Sequence, residues 1–94
     1  MRAPELAIEH LPERGRFQAV VEGQTCFCDY RFVGDVMQMT HTLVPPPLEG
    51  RGIAEQLVAA ALRHARASGL KVNPLCSYVR VYMRRHPETQ DLLA

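Results

Sequence analysis

The sequence predicts an α+β fold, a mixed sheet in the order β-β-β-β-α-β-α, with an antiparallel meander followed by one parallel β-α-β crossover. Three observations carry that expectation. Apolar and polar side chains alternate with a period of two through the first half. After Pro47 the period lengthens to that of a helix, and a short β-prone segment follows. With 94 residues, the chain is expected to be one domain, residues 1–94, around one core.

Taken in order, ELAIEH sets Leu6, Ile8 and His10 on one side of a first strand. RFQAVVEG alternates Phe17, Ala19 and Val21 and turns at Gly23. TCFCDYRFV places Cys26, Cys28, Tyr30 and Phe32 on one side, and Phe27, Asp29, Arg31 and Val33 on the other. Gly34-Asp35 is a tight-turn signal, and VMQMTHTLV then runs Met37, Met39, His41 and Leu43 in register. From Gly52 to Ser68, Ile53, Leu57, Ala61 and Ala65 form an i, i+4 row flanked by Val58 and Leu62. Gly69 is a helix stop, since glycine takes the left-handed conformation cheaply. LKVNPLC is the fifth strand, and SYVRVYMRRH a second amphipathic helix ending before Pro87. PETQDLLA is a tail with at most one more turn.

A composition of 47% hydrophobic and 22% charged residues describes an ordinary globular chain. The net charge of +1 supplies no global field to draw it to nucleic acid or anionic lipid. No apolar run approaches the roughly 18 residues of a membrane span, and MRAPELAIEH carries no signal-peptide core. A cytoplasmic location is therefore expected, with neither nucleic acid nor membrane as a partner. Three cysteines cannot all pair within one chain, and Cys26 and Cys28, two apart on one strand side, suit small apolar fillers in a reduced interior. His10, His41, His64 and His86 are scattered without C-x-x-C or H-x-x-x-H spacing, so no metal is expected.

The segment PPPLEGRGIAEQLV, residues 45–58, sets a proline spacer and two glycines at the mouth of the long helix. The first N–H groups of a helix have no internal partner and carry the positive end of its dipole. Gly50 and Gly52 let an anion approach that backbone closely, and Arg51 adds charge. The residues alone leave two readings, an anion cradle or a tight strand-to-helix turn. Neither the G-K-[ST] of a P-loop nor the third glycine of a dinucleotide fingerprint is present.

In its β-α-β setting, Glu49-Gly50-Arg51-Gly52-Ile53-Ala54 resembles motif A of the GNAT superfamily of acetyl-CoA-dependent N-acetyltransferases, written Q/R-x-x-G-x-G/A. Gly52 and Ala54 match, and Glu49 stands where the pattern has Gln or Arg. HTLVPPPLEGRGIAEQLV, GLKVNPLCSYV and YMRRHPE together look like the minimal single-domain members of this group. The resemblance implies acetyl-CoA as cosubstrate, its pyrophosphate on the amides of Arg51, Gly52, Ile53, Ala54 and Glu55 beside Gly50. It implies pantetheine contacts at Leu43 and Val44, and Tyr78 and Tyr82 facing the thioester, with Tyr82 protonating the departing thiolate. Only Leu11–Arg16 separate the first two strands, leaving no room for the helices that wall the acceptor pocket in larger relatives. An open acceptor side then suits a protein tail, a polyamine or a dimer partner, and the chain is either a monomer or a homodimer.

Acetyl transfer to an amine needs a neutral nitrogen and a protonated leaving thiolate. His41, near the carboxyl end of the fourth strand, is the candidate base, or else a hydrogen-bonded strand histidine. Cys76, ending the fifth strand, is a candidate acetyl acceptor, or else a small buried filler. Apart from the resemblance, Tyr78 and Tyr82 read as half-buried packing aromatics. Arg80 and Arg84 read as solvated charge, and His86 as a cap. Three functions stay open at this point: an N-acetyltransferase, a non-catalytic acyl-CoA-binding module, and a small interaction domain whose glycine turn is purely structural.

Overall fold

The computed structural model describes residues 3–94. Five strands, β1 (Glu9–Leu11), β2 (Arg16–Val21), β3 (Gln24–Val33), β4 (Val36–Leu43) and β5 (Lys71–Pro74), lie in sequence order in one sheet. β1 to β4 pair antiparallel, and β5 runs parallel to β4 after the crossover through helix α1 (Ile53–Ala67). A second helix, α2 (Ser77–Arg85), and a 3-10 segment, Pro87–Leu92, complete the chain. The order β-β-β-β-α-β-α and the mixed sheet agree with the sequence expectation.

One face of the sheet is buried. Phe17, Ala19, Cys26, Cys28, Tyr30, Met37, Met39 and Val72 meet Ile53, Leu57, Val58, Ala61, Leu62 and Ala65 of α1, with Val79 and Met83 of α2 joining the same core. The i, i+4 row of α1 is therefore its buried face, and each fully covered aliphatic side chain contributes roughly 1.5–3 kcal/mol relative to exposure. α1 ends as Gly69 predicts: the Leu70 N–H reaches back to the Ala65 carbonyl at 2.9 Å, closing the helix with Gly69 at φ 68°. The opposite face of the sheet is bare of helices. There Arg16 grips Asp29 through two hydrogen bonds of 2.7 and 3.1 Å and lies over the Phe27 ring.

Three features depart from simple alternation. First, β1 begins at Glu9, not Leu6. The preceding segment is tied to α1 instead: Leu6 N–H donates to Gln56 Oε1 at 2.8 Å, Gln56 Nε2 donates to the Pro4 carbonyl at 3.0 Å, and Ala3 N–H donates to the Arg51 carbonyl at 2.7 Å. Second, β4 carries a bulge, since Asp29 pairs with His41 but Tyr30 pairs with Met39, leaving Thr40 as the extra residue. Beyond it the side-chain phase is inverted. Thr42 stands opposite buried Cys28, and His41 and Leu43 turn to the bare face, so they do not share the side of Met37 and Met39 as alternation predicts. Third, the outer edge of β5 is covered by the chain's last residues, with Leu93 bridged to Val72 and Ala94 N–H donating to the Val72 carbonyl at 3.0 Å.

Between β1 and β2 the chain turns through Pro12–Arg14 and Gly15. Gly15 sits at φ 63°, its carbonyl accepts the Tyr30 N–H at 2.8 Å, and a Cβ there would stand 2.3 Å from the Tyr30 carbonyl oxygen. Gly15→Ala should therefore lose more than the roughly 1–3 kcal/mol of left-handed backbone strain alone, seen as a lower urea midpoint.

Beside this turn, His10 stacks on Phe17 at 4.0 Å, shares a 2.6 Å hydrogen bond with the Tyr30 hydroxyl and meets the His64 ring at 4.4 Å. Burial, and then the neighbouring His64, lower the His10 pKa, against a smaller upward pull from Glu13. This group's contribution to stability is intact above about pH 6.5 and is lost as pH falls through the depressed native value. Urea midpoints should fall on acidification below about pH 6.5, and less so in His10→Gln.

Candidate functional site

The chain entering α1 makes a 3-10 turn at Pro46–Leu48, anchored by fully buried Leu48. Gly50 and Gly52 follow in left-handed conformations, φ 81° and 78°, which a side chain would strain. Gly52 is the N-cap and, having no side chain, makes no cap bond of its own, so the first N–H groups of the helix, those of Ile53 and Ala54, lie at its open end. In front of them lies a groove of about 460 Å³ lined by Thr42, Val44, Leu48, Glu49, Gly50, Gly52, Ile53, Ala54 and Tyr78.

The floor of the groove is set by the end of the parallel ladder. β4 and β5 pair from Val36–Lys71 to Met39–Pro74, and the Cys76 N–H then takes the Met39 carbonyl at 2.9 Å. Beyond that bond β4 continues along β3 with no partner in β5, and the two strands part. Cys76, half-buried at the parting, donates its S–H to Thr42 Oγ1 at 3.7 Å. Sequence reasoning missed two residues of this lining, Leu48, which the 3-10 turn buries, and Thr42, which the bulge turned inward. The Thr40 side chain fits the bulge without any glycine to announce it.

The other sequence-predicted residues distribute as follows. Val44, Gly50, Gly52, Ile53, Ala54 and Tyr78 come together around the groove, and Cys76, which does not line it, is joined to it through Thr42. Leu43 and His41 lie on the bare face, where the His41 ring is 5.8 Å from Phe27. Arg51 turns away from the groove to an ion pair with Glu22, and its carbonyl holds the N-terminal segment. The Glu55 side chain lines a separate cleft of about 580 Å³ between that segment and α1.

Tyr82, one turn after Tyr78, is outside the groove, in a cleft with Ala59, Leu62 and Arg63 and stacked on His86 at 3.9 Å. Burial, then the charges of Glu55 and Glu88, hold its phenol above the ordinary range, so it keeps its proton at neutral pH. His86 donates from Nδ1 to the Tyr82 carbonyl at 2.8 Å, the capping place the sequence suggests. Among the described residues, no group of three or more His, Cys, Asp or Glu side chains is arranged to hold a metal.

The fold is a one-sided mixed sheet whose parallel strands part beside a glycine-lined helix mouth. A family model for GCN5-related N-acetyl-transferases matches residues 16–92. The chain is 32% identical over 90 residues to Protein NATD1 of Mus musculus, covering 93% of this chain and 82% of that one. Protein NATD1 of Homo sapiens gives the same identity, with 93% and 80% covered. The solution structure of a GCN5-like protein from Staphylococcus aureus superimposes with a TM-score of 0.76 at 25% identity, over 98% of this chain and 91% of that one. The chain belongs to the GCN5-related N-acetyltransferase family.

Glu49 places a carboxylate at the rim of a groove otherwise suited to an anion. Glu49→Gln should tighten coenzyme A binding about fivefold at low ionic strength, an advantage that fades as salt is added, measured by calorimetry.

Proposed function

We propose that this protein is an acetyl-CoA-dependent N-acetyltransferase acting on an exposed amine. The observation that carries the reading is the alignment of one groove with two features: the glycine-capped mouth of α1 and the stretch of β4 beyond its pairing with β5. The N–H groups of Ile53 and Ala54, unobstructed beside Gly50 and Gly52, suit a diphosphate. Val44 and Tyr78 supply walls for an extended chain between that cradle and Cys76. Acetyl-CoA supplies the acetyl group as a thioester.

Because α1 covers the other face, the acceptor approaches from the bare side of the sheet, where His41 stands on the part of β4 that pairs with β3 but not with β5. The amine nitrogen attacks the carbonyl carbon, a C–N bond forms, the C–S bond breaks, and the thiol leaves with a proton. His41 takes the proton released by the amine. That help matters: a lysine amine with pKa near 10.4 is neutral only about 0.04% of the time at pH 7, a handicap of roughly 4.6 kcal/mol. The acid that protonates the thiolate is Tyr78, which lines the groove, in place of Tyr82, which does not. An unwalled approach favours a protein tail or a polyamine over an enclosed metabolite.

A second reading, a non-catalytic acyl-CoA-binding module, draws on Arg51, which is spent on Glu22, and on the placement of Tyr82. Incubation with acetyl-CoA and a polyamine or a lysine peptide separates the two. Release of free thiol with acetylated acceptor supports the enzyme; binding without release supports the module. An adduct of about 42 Da on the protein that vanishes in Cys76→Ala would mark a covalent route.

Gly52→Val should weaken coenzyme binding at least about tenfold while far-ultraviolet circular dichroism stays native, because its side chain fills the cradle and its φ is strained. Retained affinity in a folded variant would move the phosphate site elsewhere.

A further inference from the structure

The Thr42 hydroxyl stands between two thiols. Cys76 donates its S–H to Thr42 Oγ1 at 3.7 Å, and the Thr42 O–H donates to Cys28 Sγ at 3.6 Å. Three elements meet in this chain of hydrogen bonds: β3 through Cys28, the bulged end of β4 through Thr42, and the residue leaving β5, Cys76. The two thiols have different settings. Cys28 is fully buried in the core, and burial pushes it up to about 11, so it remains a neutral acceptor across the physiological range. Cys76 is half-buried, bonded to the groove-lining Thr42, and is the more exposed of the two thiols. Asp29 acts on Cys28 along β3, and Arg80 is held on the carbonyls of Pro74 and Leu75, just before Cys76 in the chain, at 3.3 and 2.7 Å.

A threonine hydroxyl has one proton and rotates freely about its C–O bond. While Cys76 is a thiol, that proton faces Cys28. If Cys76 loses its own proton, the hydroxyl can turn and donate to the new thiolate, a charge-assisted bond stronger than the one it leaves. We propose that Thr42 is a positioning residue whose hydroxyl switches between Cys28 and Cys76 and so sets how readily Cys76, next to the groove that Thr42 lines, becomes a nucleophile. Its purpose rests on the acetyl-transfer reading, in which Cys76 lies beneath the thioester. Its test does not.

The test is the rate of alkylation of Cys76 by iodoacetamide in the full-length protein from about pH 6 to about pH 10, followed by peptide mass. Only the thiolate reacts, so the profile reports ionisation directly. Thr42→Val keeps the β-branched shape and removes the donor; it should slow alkylation near neutral pH about three- to tenfold and move the midpoint to higher pH. Thr42→Ser should restore both. Cys28→Ala, which removes the competing acceptor, should move the midpoint the other way. A Thr42→Val profile that superimposes on the parent, a Thr42→Ser profile that follows Val, or an upward shift in Cys28→Ala would overturn the assignment. Shifted profiles in a protein that transfers no acetyl group would overturn the acetyl-transfer reading alone.

Discussion

The hydrogen bond from the Cys76 N–H to the Met39 carbonyl is the last backbone bond joining β4 to the β5 side among the described residues, and the site lies where that ladder stops. Pro74 has no N–H to extend the ladder, and the Leu75 N–H folds back to the Asn73 carbonyl at 3.1 Å. The chain then turns into α2 at Ser77, carrying its backbone away from β4. β4, held along β3, keeps its course. The strands separate at the place where the glycine-bearing loop delivers the positive end of α1. One terminated ladder thus fixes where a thioester can lie and which side chains border it.

Much of this was legible in the residues because burial of one sheet face imposes strict alternation. Phe17 and Ala19, Cys26 and Cys28, and Met37 and Met39 all point inward as their spacing requires, and the apolar row from Ile53 to Ala65 marks the buried side of the helix. The glycines at the helix mouth were legible because left-handed backbone is costly for any other residue. The fate of Leu6 and Ile8 was not. Their alternation suits a strand, but Gln56, fifty residues on, offers the Leu6 N–H a partner that local pattern cannot show.

The site residues illustrate the same limit. A single extra residue at Thr40 exchanges the faces of His41 and Thr42, and no glycine or proline signals it. Arg51 has the right position in sequence for a phosphate and the wrong partner in space, since the β2–β3 hairpin brings Glu22 to it. Tyr78 and Tyr82 share a side of α2, yet only their height along the helix decides which one reaches the groove. Periodicity gives the side of a helix and leaves that height undetermined.

The seating of Leu93 and Ala94 along β5 has a bearing on self-association. An open sheet ordinarily has two rims at which another copy can add, and two free rims permit endless fibres. Here Leu93 and Ala94 already pair with Val72 on the β5 rim, so another strand adding there must first displace them.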